Sequence, residues 1–185
     1  MKVFFDTELT GLHQDTKLIS IGLISEDNQT FYAENCSFMD GFTCGDDREW
    51  CESNLTPNLK FYGNTTKGYN NSFIGLNEPS EVFGELWLIK DSLEDWLSRF
   101  NYVELWSDCL SYDFVLFNQL WGHAFEIPKN VYYIPFDICT VFKMKGIDPG
   151  TSREEFSGMT EGAEKHNALW DAKVIKGCYD KLMSV

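Results

Sequence analysis

The sequence predicts an α/β domain whose mixed five-stranded sheet, three antiparallel strands followed by parallel ones, is flanked by helices. Three observations carry this expectation. The opening residues hold three short apolar or β-branched runs separated by turn signals; the remainder alternates helical and strand periodicities; and 185 residues is the length of one such domain, 1–185. Hydrophobic residues at 43% and aromatic residues at 16% supply the apolar surface of a core, which excludes a disordered or fibrous chain.

Each element follows in order. Lys2–Leu9 and the β-branched Leu18–Ser25 read as strands, and Gln29–Ala33 as a third after a turn at Glu26-Asp27-Asn28. Asp46–Leu55 reads as a short helix stopped by Thr56-Pro57. Residues 61–79 are rich in Gly, Asn and Thr without a period and read as a surface loop insertion. Glu81–Phe100 places Phe83, Leu86, Trp87, Ile89, Leu93, Trp96, Leu97 and Phe100 near helical spacing, with Ser80 as N-cap. Val103–Ser107 is a strand, Tyr112–Trp121 a helix ended by Gly122, and Val131–Pro135 a fifth strand. Asp137 caps a helix over Ile138–Lys145, Gly146 stops it, and Ala168–Met183 forms the last helix after a polar connector.

Charge narrows the function. Fifteen Lys and Arg against 29 Asp and Glu leave −14, a field that repels duplex phosphates at long range and disfavours a scanning binder of bulk DNA. Divalent cations held by carboxylates would invert that potential locally. No apolar run of membrane-spanning length occurs, and Asp6 arrives too early for a signal-peptide apolar region, so the expectation is a cytoplasmic chain that needs no membrane. Cys36, Cys44, Cys51, Cys109, Cys139 and Cys178 lack CxxC spacing and read as free thiols rather than a zinc set built on Cys36, Cys44 and Cys51.

Carboxylates interrupt apolar surfaces at three places. Asp6 and Glu8 share one face of the first strand while Thr7 points the other way, and two carboxylates so placed repel unless a cation lies between them; a solvated strand end is the alternative. Asp113 shares its helical stripe with Leu116, Phe117 and Leu120, near a helix N-terminus that favours its ionised form; Asp108 is the rival position. Asp171 lies on the stripe of Ala168, Val174, Ile175, Cys178 and Leu182, and His166 stands on the loop that enters this helix. Four carboxylates from separated segments suit two hard divalent cations.

FDTEL, SYD and HNALWD resemble the three motifs of the DEDDh 3′–5′ exonucleases, which run Asp-x-Glu, Asp, then His-x-x-x-x-Asp. FFDTEL with KLISIGLISEDNQTFYAE, then VELWSDCLSYDFVLFNQLWG and HNALWDAK, is most similar to the polyadenylate-specific exoribonuclease RNase AS family, a branch that also resembles phage exonuclease A. TELTGL is similar to oligoribonuclease as well, and residues 61–79 look longer than the family's equivalent. The resemblance implies an RNase H-like fold, two Mg²⁺ ions per site with Mn²⁺ as a substitute, a homodimer, and hydrolysis of single-stranded RNA from its 3′ end to nucleoside 5′-monophosphates, with adenylate-rich ends preferred. It implies Asp6, Glu8, Asp113 and Asp171 as metal ligands, His166 as general base, and Leu9, Thr10 and Gly11 as contacts of the terminal nucleotide. Tyr112 and Trp106 are candidate stacking platforms for a base. A single-stranded DNA exonuclease, an oligoribonuclease-type scavenger and a catalytically silent RNase H-like binding module are the alternatives.

Overall fold

Strand β1, Lys2–Leu9, separates the two halves of the interior by its alternation. Val3 and Phe5 point to one face of the sheet, and Phe4 to the other. The molecule is a computed structural model in which residues 1–42, 47–62, 73–74, 80–160 and 166–184 are described. Strand β2, Leu18–Ser25, pairs antiparallel with β1, and β3, Thr30–Asn35, antiparallel with β2. Strand β5, Glu81–Gly84, lies parallel to β3 and carries the short β4, Phe73–Ile74, at its edge. On the far side, β6, Glu104–Ser107, lies parallel to β1, and β7, Phe136–Asp137, parallel to β6. The sheet order is β4-β5-β3-β2-β1-β6-β7. This mixed sheet, flanked by helices, is consistent with the RNase H-like arrangement.

Helices α1 (Arg48–Trp50, continued by a π turn over Cys51–Leu55), α2 (Leu86–Leu97), α3 (Leu110–Gln119), α4 (Ile138–Met144), α5 (Arg153–Ser157) and α6 (Ala168–Met183) complete the described fold. On the Phe5 face, Leu93, Trp96 and Leu97 of α2 and Leu116 and Phe117 of α3 enclose Leu23, Phe31 and Val82. On the Phe4 face, Ile138 and Phe142 of α4 pack with Ala172, Val174, Ile175, Cys178 and Leu182 of α6.

Four expectations change. The sheet has seven strands rather than five. The helix expected from Glu81 begins only at Leu86: Val82 and Phe83 pair with β3 and are buried, whereas Trp87, which fits the helical stripe, is 62% exposed. Ser80 is therefore not its cap; the N-cap is Glu85. Val131–Pro135 makes only an isolated bridge, Val103 to Val131, and the strand follows it at Phe136–Asp137. The polar connector holds α5, capped by Ser152, whose side chain accepts from Glu155 N. Of the 61–79 insertion, 63–72 and 75–79 lie outside the described residues, as do Cys44 and Asp46 of the readings above. The other five cysteines are free thiols.

Candidate metal centre

Where α6 meets the sheet, a missing side chain sets the geometry. Gly22 of β2 is the register partner of Asp6 on β1, and a Cβ at Gly22 would lie 2.2 Å from Leu169 N and 2.3 Å from the Ala168 carbonyl carbon. The first turn of α6 thus rests directly on the β2 backbone. Asn167 begins that turn, its side chain accepting from Leu169 N and Trp170 N at 3.2 Å each. One turn later Asp171 reaches the β1 carboxylates: oxygen atoms of Asp6, Glu8 and Asp171 all lie within 4.8 Å of one another.

A second triad shares Asp6. Carboxylate oxygens of Asp6, Asp108 and Asp113 also lie within 4.8 Å of one another. Asp113 approaches from the opposite face of the sheet, and Thr7, the residue between the two β1 carboxylates, faces it there. The Thr7 hydroxyl donates to Asp113 Oδ1 at 2.6 Å, and the Ser107 hydroxyl at the end of β6 donates to Oδ2. Each oxygen keeps a lone pair for a cation while the pair of donors fixes the carboxylate plane.

The electrostatics are unfavourable without a cation. Burial pushes the Asp6 carboxyl well above its ordinary value, and Asp113, Glu8, Asp171 and Asp108 add to the rise. Burial, then Asp171 and Asp113, raises Glu8 to about 8. Asp113 is raised to about 6 by burial, against which the Ser107 and Thr7 hydroxyls favour the anion. Raised carboxylates crowded at the end of a strand are a functional signature rather than a stabilising one.

A cleft of about 430 Å³ opens onto this cluster, lined by Asp6 through Leu12, Asp47, Trp50, Cys109 and Asp113. Leu9, Thr10 and Gly11 are therefore on its wall. Thr10 is fully buried, its hydroxyl accepting from Lys17 N at 3.1 Å, so it holds the loop while its neighbours face the cleft. Tyr112 is half-buried and is not among the lining residues. Trp106, half-buried and not among the lining residues, stacks on Phe136 at 4.8 Å with an 18° interplanar angle and meets Tyr179 edge-on. His166 is in neither carboxylate group; it stands immediately before the α6 cap with φ of +63°, against the Trp50 ring at 5.3 Å and 79°.

Sequence reasoning missed Trp50, Leu12 and the two hydroxyl donors. Trp50 is 43% exposed and Leu12 72%, a pair of large apolar side chains at the mouth of an acidic cleft. Their placement comes from Asp47, whose N–H donates to Thr10 O at 3.2 Å and whose side chain accepts from Trp50 N at 2.9 Å. The Asp47-x-x-Trp50 cap was the available signal.

The donor set suits hard divalent cations: carboxylates alone, two triads around a shared Asp6, and no sulfur or imidazole in either group. Two proteins of Mycobacterium tuberculosis, from strains CDC 1551 and H37Rv and both named 3′–5′ exoribonuclease, are each 25% identical to this chain over 175 residues, covering 94% of it and 88% of their own length. No family model matches the sequence. Among the described residues, no helix is long and apolar enough to cross a membrane.

Proposed function

We propose that this protein is a metal-dependent 3′–5′ exoribonuclease that shortens single-stranded RNA from its 3′ end, releasing nucleoside 5′-monophosphates, with adenylate-rich ends preferred. The observation that carries the reading is the pair of carboxylate triads sharing Asp6, three of whose members, Asp6, Glu8 and Asp113, line an open cleft. The names of the two mycobacterial relatives support the same activity. Asp6, Glu8 and Asp171 would hold one Mg²⁺ or Mn²⁺, and Asp6 with Asp113 the other. Bound there, the ions would supply the Lewis acidity and charge neutralisation that phosphodiester hydrolysis requires.

The chain's own residues do the rest. His166 takes the proton of the attacking water and passes it to solvent, a task suited to an imidazole, which can both accept and release a proton. Its left-handed backbone is one that histidine tolerates better than most side chains, and the Trp50 ring fixes its plane. Trp50 and Leu12 offer an apolar seat to the terminal base, which stacking could hold by about 1–3 kcal/mol. Main-chain groups of Leu9–Gly11 border the terminal sugar. The low content of Lys and Arg, 15 against 29 Asp and Glu, suits a short grip on the strand rather than a long basic track. The chain works as a homodimer in this proposal, which sedimentation would test directly.

The decisive experiment is a ladder assay on 5′-labelled oligo(A), oligo(U), mixed RNA and matched DNA, each with Mg²⁺, Mn²⁺ or EDTA, beside Asp6→Ala. Stepwise shortening of RNA that needs metal and vanishes in the variant is expected, fastest on oligo(A). Faster shortening of DNA would make this a deoxyribonuclease, and no shortening of any substrate would make it a binding module.

A further inference from the structure

Asp108 lies at the first position after β6, outside the four carboxylates assigned above, yet its oxygens belong to the triad of Asp6 and Asp113. Among the described residues, one cation pairs with it. Arg153, at the start of α5, places Nε 3.3 Å from Asp108 Oδ2, and the two side chains are only 17% and 24% exposed. Arg153 is itself held on several sides. Nη2 donates to Cys139 Sγ at 2.8 Å, Nη1 donates to the Thr151 carbonyl, and the guanidinium carbon sits 5.0 Å from the Phe142 ring centroid. The main chain at Asp108 is held too, its carbonyl accepting from Cys139 Sγ at 3.3 Å. The pair is largely buried, although Arg153 Nε makes no hydrogen bond of its own.

The charges then balance. Asp6, Glu8, Asp108, Asp113 and Asp171 are five carboxylates around the two triads, and two divalent cations offset four of them, which leaves one for Arg153. The Asp108 carboxylate thus stands between the two positive positions, with Oδ2 paired to Arg153 and one of its oxygens within 4.8 Å of those of Asp6 and Asp113. We propose that Asp108 is a positioning residue for the cation between Asp6 and Asp113, acting from outside its direct ligands, and that Arg153 is the counter-ion that competes with that cation for the Asp108 charge. The proposal rests on the two-cation reading above. It predicts opposite effects for the two partners: loss of the Asp108 charge weakens that cation, and loss of the Arg153 charge strengthens it by removing a competing positive group.

The test is Mn²⁺ titration of the full chain without substrate, by calorimetry and by the electron paramagnetic resonance of free Mn²⁺, with a thermal melt of each variant to verify folding. The wild type is expected to bind two ions. Asp108→Asn should weaken one of them about 10-fold, the size usual for partners outside the direct ligands. Arg153→Gln should tighten the same ion, and Arg153→Lys should leave it near the wild-type value. If Asp108→Asn and Arg153→Gln change only the melting temperature and both ions stay within twofold, the pair is structural and the proposal fails while the two-cation reading stands. Outright loss of the ion in Asp108→Asn would make Asp108 a direct ligand and overturn its outer role. A wild type that binds no Mn²⁺ overturns both readings together.

Discussion

Replacing Glu8 by Gln should make the metal-free protein more stable while destroying its proposed activity. The side chains match in size, so the variant removes little but a charge. In the fold the Glu8 carboxyl is raised from its ordinary 4.5 to about 8, first by burial and then by Asp171 and Asp113; the side chain is 8% exposed, so solvent screens little of this. The shift corresponds to about 5 kcal/mol. Between those two values the folded protein still binds a proton that the unfolded chain has released, so ionisation penalises the native state and stability falls as pH rises through the window. Glu8→Gln has no such proton and lacks that slope. Each kcal/mol moves the melting temperature of a domain this size by about 2–4 °C. Thermal melts in EDTA should therefore show the variant ahead by at least about 5 °C near pH 8.5, with the gap shrinking by more than half near pH 5.5. Saturating Mn²⁺ should raise the wild type more than the variant and narrow or reverse the order. A variant no more stable than wild type at the higher pH, without metal, would refute the claim that burial and the neighbouring carboxylates disfavour the Glu8 anion in the absence of a cation.

Gly22→Ala should cost at least about 3 kcal/mol in urea unfolding, because its Cβ would strike the α6 backbone rather than a movable side chain. Whatever folded protein remains should bind Mn²⁺ poorly, since Asp171 moves with the helix. His166→Ala should slow single-turnover cleavage by about 10²–10⁴-fold with Mn²⁺ binding intact; loss of Mn²⁺ binding in calorimetry would instead make His166 a ligand. Trp50→Ala should raise KM for RNA about 5- to 100-fold, the equivalent of about 1–3 kcal/mol of stacking, while Trp50→Phe recovers most of it. An unchanged KM in Trp50→Ala would remove the base from that seat.

What could be read from sequence was what local periodicity encodes. The alternation of Phe4, Phe5, Asp6, Thr7 and Glu8 gave both the facing of β1 and the shared direction of its carboxylates, and Ala168–Met183 begins and ends where its apolar pattern places it. Asp113 and Asp171 stood out because each sits on an apolar stripe. The failures have one physical cause: a partner distant in sequence decides. Val82 and Phe83 suit a helix or a strand equally until β3 supplies the parallel neighbour that makes β5. Thr7 looks like a spacer until Asp113 arrives from the other face. Asp108 could be weighed only as a substitute for Asp113, because nothing near it announces Arg153. Trp50 owes its place in the cleft to a contact between Asp47 and Thr10 across the fold.

The seat of α6 on Gly22 also has a consequence for the order in which the protein becomes competent during translation. A nascent chain that has emerged as far as β7 already holds Asp6, Glu8, Asp108 and Asp113, but neither His166 nor Asp171. The central strand leaves the ribosome before the helix that would complete its proposed chemistry. Under the proposed function, a chain that has emerged only as far as β7 would carry no complete centre.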